Sequence, residues 1–293
     1  MCARPEISVV VPAYNEAAGL YQDLCGIRQV MEQQDAAWEL IVVDDGSEDE
    51  TAEIASGVEG ARLVRHDRNR GYGAALKTGI RHAQGDLIVI TDADGTYPAH
   101  YIPALVAELW DAEMVVGART GEAVKIPPLR RPAKWLLNRL ASLLAESPIP
   151  DLNSGLRAFR RAAALPFMSL LPSGFSFTST ITLAMLCNDM RVKYLPIDYH
   201  ERKGASKIKP IQDTYHFFLL VFRTICYFNP LKVFMPPALL LMVGGGLKLI
   251  HDVVVERNIY QGEILLLLVG LQLAAFGLLA DAVAKLRASL REG

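Results

Sequence analysis

The sequence has little of what marks several large protein classes. Only four of its 293 residues are cysteine: Cys2, Cys25, Cys187 and Cys226. They lie far apart, with no CxxC pair and no histidine at metal-ligand spacing. That argues against a disulfide framework or a structural zinc site and fits a reducing, cytosolic setting. An excess of charge of one sign is also missing. The 30 basic and 32 acidic residues leave a net charge of −2, so no nucleic-acid partner is expected. Disorder is excluded by composition, with 51% hydrophobic and 21% charged residues. There is no repeat and no low-complexity tract. The apolar stretch near the N-terminus is too short for a signal-peptide core. A dinucleotide fingerprint is lacking as well. The glycines of Asn69-Arg70-Gly71-Tyr72-Gly73 have the wrong spacing and do not follow the first strand, which disfavours an oxidoreductase.

What is present is apolar and ordered. Mean hydropathy is +0.21, high for a plain soluble enzyme. Short β-branched runs at Ile7–Val11, Leu40–Val43, Leu63–Val64, Leu87–Thr91, Met114–Val116 and Val192–Ile197 read as strands. Helical spacing separates them, as in Leu20, Leu24, Ile27, Val30 and Met31, in Gly73–Ala83 and in Ile102–Leu109. Ser47-Glu48-Asp49-Glu50 has a capping-box pattern. Pure apolar strands alternating with helices predict an α/β fold, a Rossmann-like, mostly parallel sheet with helices on both faces. Gly121–Arg131 reads as a loop, Lys134–Glu146 as a helix, and Asp151–Phe159 as a polar, glycine-bearing stretch.

After residue 210 the pattern changes. Phe217–Phe228 reads as an amphipathic helix on a membrane surface. Val233–Leu247 carries no charge, and if Lys248 snorkels the apolar stretch runs on through Val253–Val255. Ile264–Ala280 is a second uncharged stretch. The expected organisation is a cytoplasmic catalytic domain over residues 1–210, a juxtamembrane amphipathic helix over 211–230 and a two-span transmembrane hairpin with its tail over 231–293. A buried helical hairpin is the plainer reading, but no third element remains to cover two helices apolar all round.

Polar motifs cluster after the strands. Asp92-Ala93-Asp94 follows Leu87–Thr91, Asp44-Asp45-Gly46-Ser47 follows the second strand, and Pro12-Ala13-Tyr14-Asn15-Glu16 follows the first. Ligand sites of open α/β sheets lie at that edge. Two carboxylates at i and i+2 suit a hard divalent cation bridging phosphates. Each motif also has a bland reading, a solvated turn or a helix cap, but three together at one edge are hard to attribute to chance. His66, His82 and His100 read as surface or loop residues.

The order VVVPAYNE, VVDDGS, NRGYGAA and ITDADGTYP over residues 7–98 resembles the family 2 glycosyltransferases of GT-A fold. The later elements Val116–Arg119, Asp151–Phe159 and Glu201–Lys207 look like the polyprenyl-phosphate glycosyltransferases of the dolichyl-phosphate mannose or glucose synthase type. The resemblance implies that Pro12, Tyr14, Glu16, Asp44 or Asp45, Arg70 and the Asp92-Ala93-Asp94 segment hold a UDP- or GDP-sugar. It implies that Asp92 and Asp94 act in catalysis as ligands of Mg²⁺ or Mn²⁺, with Thr96 a weaker candidate ligand where relatives often place Gln. It implies that Arg119, Arg131, Ser154, Arg202 and Lys207 bind the phosphate of a polyprenyl phosphate. Thr180 stands where many relatives have Glu. The expected partners are the donor, the polyprenyl phosphate and membrane lipid, with homo-oligomers a further expectation through the hairpins. A phosphate monoester is largely dianionic at neutral pH and needs no protein base. Two alternatives stay open: transfer to another lipid or polysaccharide hydroxyl, which needs a base, and a non-catalytic nucleotide-sugar-binding or scaffolding subunit.

Basic residues set the expected orientation. Lys203, Lys207, Lys209, Arg223 and Lys232 precede the first span, and Lys285, Arg287 and Arg291 follow the second. The connecting loop Glu256–Gly262 holds only Arg257, so both ends are expected on the cytoplasmic side. A cysteine placed at Gly262, in a background without the native cysteines, is therefore expected to react with an impermeant thiol reagent in intact cells. Labelling only after permeabilisation would reverse the hairpin.

Overall fold

The computed structural model describes residues 4–120, 139, 141–142, 145–200, 222, 226–227 and 229–292. Arg131, Arg202 and Lys207, the 121–131 loop, and most of the helices expected over 134–146 and 211–230 lie outside the described residues. The chain divides into two compact units, Met1–Val221 and Phe222–Gly293.

The first unit is built on a seven-stranded sheet. Its strands are β1 (Ile7–Ala13), β2 (Trp38–Asp44), β3 (Ala61–Arg65), β4 (Leu87–Ile90), β5 (Met114–Ala118), β6 (Arg157–Arg160) and β7 (Val192–Pro196). Their order is β3-β2-β1-β4-β6-β5-β7. β1 is buried along its whole length, as a central parallel strand must be. Its residues alternate between faces. Val9 and Val11 join Leu40 and Val42 in a core closed by α1 (Ala17–Met31), α2 (Thr51–Gly57) and α4 (Ile102–Ala107). Val10 and Val43 face the other way and meet Gly79 of α3 (Tyr72–His82). Helices therefore cover both faces, as the strand pattern predicts.

β1 lies between β2 and β4, so the direction of winding reverses there and opens a crevice at the carboxyl ends of β1 and β4. β6 departs from the expected pattern. It lies within the stretch read as polar and glycine-bearing, and it pairs antiparallel with both β4 and β5. Its side chains Arg157, Ala158 and Phe159 are all buried. Because β6 runs backwards, the loop before it, not the loop after it, arrives at the crevice.

Two local expectations are corrected. Ser47 does not cap α2: the helix starts at Thr51, and Asp49 Oδ1 accepts the Thr51 N–H at 3.0 Å. Asp49 Oδ2 accepts the Ala17 N–H of α1 at 3.2 Å, so one carboxylate serves two helix starts. The helix expected over Ile102–Leu109 ends at Ala107 and tightens into a 3₁₀ turn over Glu108–Asp111.

The second unit is a helical hairpin, α6 (Pro230–His251) and α7 (Gln261–Glu292); α5 (Phe177–Leu186) belongs to the first unit. Two stretches, Pro230–Glu256 and Gln261–Leu286, are long and apolar enough to cross a membrane. The hairpin helices approach closely at glycines. A Cβ on Gly270 would stand 2.6 Å from Met242 Cγ, and one on Gly277 would stand 2.9 Å from Phe234 Cβ. Lys248 does more than snorkel. Its Nζ donates to Asp252 at 2.6 Å and to Glu263 of the opposite helix at 3.1 Å, and both carboxylates are buried.

The sheet packing makes a paired prediction about glycines. A Cβ at Gly79 would strike Val10, whereas one at Gly26 in α1 meets nothing within 4 Å. Gly79→Ala is expected to destabilise by about 1–3 kcal/mol despite alanine's better helix propensity. Gly26→Ala is expected to stabilise by about 0.5–1 kcal/mol. Chemical unfolding of the detergent-solubilised protein checks both signs.

Candidate active site

The loops after β1 and β2 are laced together. The Asn15 N–H donates to Ser47 Oγ at 3.0 Å, and the Glu48 N–H donates back to Asn15 Oδ1 at 3.0 Å. Asn15 holds a positive φ of 53°, which this exchange supports. Asn15 is thus a bridge between loops, not a helix cap. Pro12 is buried at the end of β1, and Tyr14 and Glu16 are half-buried just beyond it. The Glu16 N–H is held by Thr51 Oγ1 at 2.9 Å.

The two aspartates after β2 have different surroundings. Asp44 is buried; it accepts the Ser47 N–H at 3.0 Å, and its Oδ2 lies 2.9 Å from Arg65 Nε. Asp45 turns inward. Its Oδ1 accepts the Arg70 N–H at 2.9 Å, its Oδ2 accepts the Gly71 N–H at 2.8 Å, and His66 Nδ1 stands 2.7 Å from Oδ1. The Asp45 carboxylate is therefore the anchor of the Asn69–Gly73 loop. His66 is not a surface residue: it is buried between Asp45 and Thr78, whose hydroxyl lies 2.9 Å from Nε2. The Arg70 side chain is exposed and only its backbone is clamped. A cleft of about 570 Å³ opens here between Tyr14, Ser47, Arg65, His66 and Arg68. Arg65 and Arg68 are not among the residues that the sequence motifs single out. Their position directly after β3 was the available signal, since the ligand edge of the sheet extends to every parallel strand.

Asp92 and Asp94 sit beyond β4, half-buried, with Ala93 buried between them. The Tyr72 hydroxyl donates to Asp92 Oδ1 at 2.8 Å. Burial, and then the Asp92 charge, push the Tyr72 phenol well above its ordinary value, so it stays a proton donor at neutral pH. Thr96 is fully buried, and its N–H at 3.2 Å and hydroxyl at 2.6 Å both donate to Asp94 Oδ1. Thr96 thus orients Asp94, and its hydroxyl is committed to that carboxylate. Gly155 packs against the Asp92 carboxylate so closely that a Cβ would collide with it. Two oxygen ligands at i and i+2, each oriented by a hydroxyl donor, suit Mg²⁺ or Mn²⁺ shared with substrate phosphates rather than a full protein cage.

On the other flank, Arg119 at the end of β5 grips Asp151 with both arms of its fork. Nε reaches Oδ2 at 2.7 Å, Nη2 reaches Oδ1 at 2.9 Å, and the Arg119 N–H adds a third bond at 3.1 Å. Its guanidinium lies 5.3 Å from the Tyr199 ring centroid. Burial opposes the Arg119 charge, but Tyr97, Asp151 and Tyr199 outweigh it and its pKa is raised. Asp151 was not anticipated as a partner, because the pairing spans β5 and the loop before β6.

The Asp151–Gly155 loop is pinned at every step. The Ser179 hydroxyl donates to Asn153 Oδ1 at 2.6 Å, the Ser154 hydroxyl donates to the Gly117 carbonyl at 2.5 Å, and the Gly155 N–H donates to the Tyr97 hydroxyl at 2.7 Å. Ser154 is fully buried, so here its hydroxyl latches the loop to β5. Thr180 is buried and donates to the Ser176 carbonyl at 2.9 Å. The structure thus brings together the loops after β1, β2 and β3, the Asp92–Asp94 pair and Arg119.

Comparison with known proteins agrees with this geometry. The family model for glycosyl transferase family 2 matches residues 8–165, and the GtrB C-terminal hairpin model matches residues 229–286. A low-salt glycan biosynthesis hexosyltransferase of Haloferax volcanii is 32% identical over 215 residues, covering 71% of this chain and 51% of that protein. The dolichyl-phosphate hexose transferase of the same organism is 32% identical over 207 residues, 70% of this chain and 87% of that one. An undecaprenyl-phosphate 4-deoxy-4-formamido-L-arabinose transferase of Aeromonas hydrophila is 33% identical over 196 residues, 65% of this chain and 54% of that one. The chain thus spans about half the length of the first and third of these relatives. Among solved structures, glucosyl-3-phosphoglycerate synthase from Mycobacterium tuberculosis, in complex with Mn²⁺, UDP-glucose and phosphoglyceric acid, shares the fold. It has a TM-score of 0.60 and 21% identity, over 76% of this chain and 80% of that one. The matched models, together with a mixed, mostly parallel sheet and an apolar helical hairpin, settle the family: the chain belongs to glycosyl transferase family 2 and carries the GtrB C-terminal hairpin.

Proposed function

We propose that the protein transfers a sugar from a UDP- or GDP-sugar to a polyprenyl phosphate, with inversion at the anomeric carbon. The observation that carries this reading is one short loop that touches both flanks: Gly155 packs against the Asp92 carboxylate, and Asp151 at the other end of the loop holds the Arg119 guanidinium. The cleft between Tyr14, Arg65 and Arg68 takes the nucleotide, placing its diphosphate towards Asp92 and Asp94. These carboxylates hold Mg²⁺ or Mn²⁺, which would neutralise charge on the leaving diphosphate.

Arg119 receives the acceptor phosphate, with Arg131, Arg202 and Lys207 the further candidates that the sequence supplies. An acceptor phosphate oxygen bonds to the anomeric carbon as the sugar–diphosphate bond breaks. The electron pair leaves with the nucleoside diphosphate, and no proton has to move. Among the described residues the buried histidine, His66, is held between Asp45 and Thr78, which fits a reaction without a histidine base. The hairpin anchors the enzyme in the membrane with its catalytic unit on the cytoplasmic face, and its outward apolar side chains face lipid or a second copy.

The test is a panel of labelled UDP- and GDP-sugars with and without polyprenyl phosphate. Label is expected in lipid only when both are present, lost with EDTA and restored by Mg²⁺ or Mn²⁺. Arg119→Lys keeps a charge beside Asp151 but loses the planar fork. Its catalytic efficiency towards the lipid should fall by about one to two decades, the worth of a charge-assisted contact of roughly 1.5–3 kcal/mol, with donor affinity little changed. Loss of donor binding with normal lipid dependence would assign Arg119 to the diphosphate instead.

A further inference from the structure

Arg157 is among the largest side chains that the fold buries completely. It stands at the start of β6, opposite Ile90 of β4 and Val116 of β5. Its Nε donates to the Ser154 carbonyl at 3.2 Å, and Nη2 donates to the same oxygen. Its Nη1 donates to the Thr178 carbonyl at 2.9 Å and to the Thr182 hydroxyl at 2.8 Å, both on α5. All these partners are neutral, and among the described residues Arg157 forms no ion pair. Burial draws its pKa below the ordinary arginine value, with nearby tyrosines and Asp151 opposing the shift.

A bolt between a loop and a helix does not need a charge. Apolar side chains of similar volume usually serve buried positions as well or better, because desolvating an ion is costly. What the charge does becomes visible at Asp151, six residues earlier in the chain. Asp151 holds Arg119 in a two-armed pair, so by itself that pair is close to neutral and a weak receptor for an anion. Arg157, bonded under the same loop, adds a second cation near the Asp151 carboxylate, which acts on its charge. In a low-dielectric interior a charge acts beyond its contacts.

Resting on the reading that Arg119 receives the acceptor phosphate, we propose that Arg157 is a positioning residue for that phosphate. It acts through the Asp151–Gly155 loop and Arg119, supplying the positive charge that Asp151 cancels and never touching the lipid itself.

The experiment uses the full chain in detergent or nanodiscs, with unfolding temperature, donor titration and lipid-dependent kinetics measured on each variant. Arg157→Met keeps the volume and removes the charge. It is expected to raise the KM for polyprenyl phosphate by about tenfold while leaving donor affinity within about twofold. Arg157→Lys is expected to recover most of that loss. Adding Asp151→Asn to Arg157→Met removes the compensating negative charge and is expected to lower the KM again. A purely structural role predicts the opposite, since the double variant has lost two anchors.

Thr182→Val removes one hydrogen bond from Arg157 without touching its charge. It is expected to lower the unfolding temperature and leave the KM for the lipid unchanged, so it keeps the test decisive if Arg157→Met does not fold. An unchanged KM in Arg157→Met, a parallel loss of donor affinity, a worse double variant or a raised KM in Thr182→Val would each overturn the proposal. Arg119→Lys in the same assay separates the two claims. If it spares the lipid KM, the acceptor site itself is misplaced; if it raises the KM and Arg157→Met does not, only the role of Arg157 falls.

Discussion

Strand β6 enters the sheet against the direction of both its neighbours, and the candidate site depends on that reversal. In a wholly parallel sheet the segment before a strand starts at the opposite edge from the ligand crevice. Here the antiparallel pairing of β6 with β4 sets Arg157 across from Ile90, so the preceding residues Asp151–Gly155 stand directly beside Asp92. Gly155 is the point of closest approach, and the absence of a side chain there lets the two loops meet. Tyr97, Gly117 and Ser179 then fix the loop from three directions.

This arrangement separates charge across a short distance. The Asp92–Asp94 flank is anionic and its two carboxylates are each turned by a hydroxyl donor, Tyr72 and Thr96. The Arg119 flank is held rigid by Asp151 and sits over Tyr199. On the proposed reading, with an acceptor phosphate that is already a nucleophile, positioning two anionic substrates with fixed, preorganised charges is the main task of the site. The inward turn of Asp45 serves the same end, because it commits a carboxylate to holding the backbone of the Arg70–Gly71 segment.

The hairpin follows a different logic. Its helices are apolar nearly all round, so burial in water cannot account for them, and they meet through glycines rather than through interdigitating large side chains. The Lys248–Asp252–Glu263 cluster near the connecting turn pairs the charges that interrupt the apolar pattern. A charge pattern that weakens each helix as a span when read alone is reconciled once the two helices lie side by side.

Much of this was legible in the sequence, and the boundary has a physical cause. The six strands read from apolar runs, the helices on both faces and the hairpin all follow from periodicity, which is a local property of the chain. The edge of the sheet that gathers Tyr14, Asp44, Asp92 and Asp94 follows too, because in a parallel sheet the ends of the strands are known once the strands are known. What the sequence left open is what depends on pairing between distant segments. The sequence pattern does not show β6, because its buried residues include an arginine, whose burial the carbonyls of Ser154 and Thr178 and the Thr182 hydroxyl permit. Asp44 and Asp45 are adjacent, chemically identical and both buried, and only the tertiary surroundings decide that Asp44 takes Ser47 and Arg65 while Asp45 takes the Arg70 and Gly71 backbone. His66 is a loop residue, as its position after β3 suggests, but Asp45 and Thr78 on the next helix bury it rather than leave it at the surface. Thr96, Ser154 and Arg119 were visible as polar residues in the right places. Thr96 turns to Asp94 two residues back, but the partners of Ser154 and Arg119 lie 37 and 32 residues away, and only tertiary structure brings those atoms within hydrogen-bond distance.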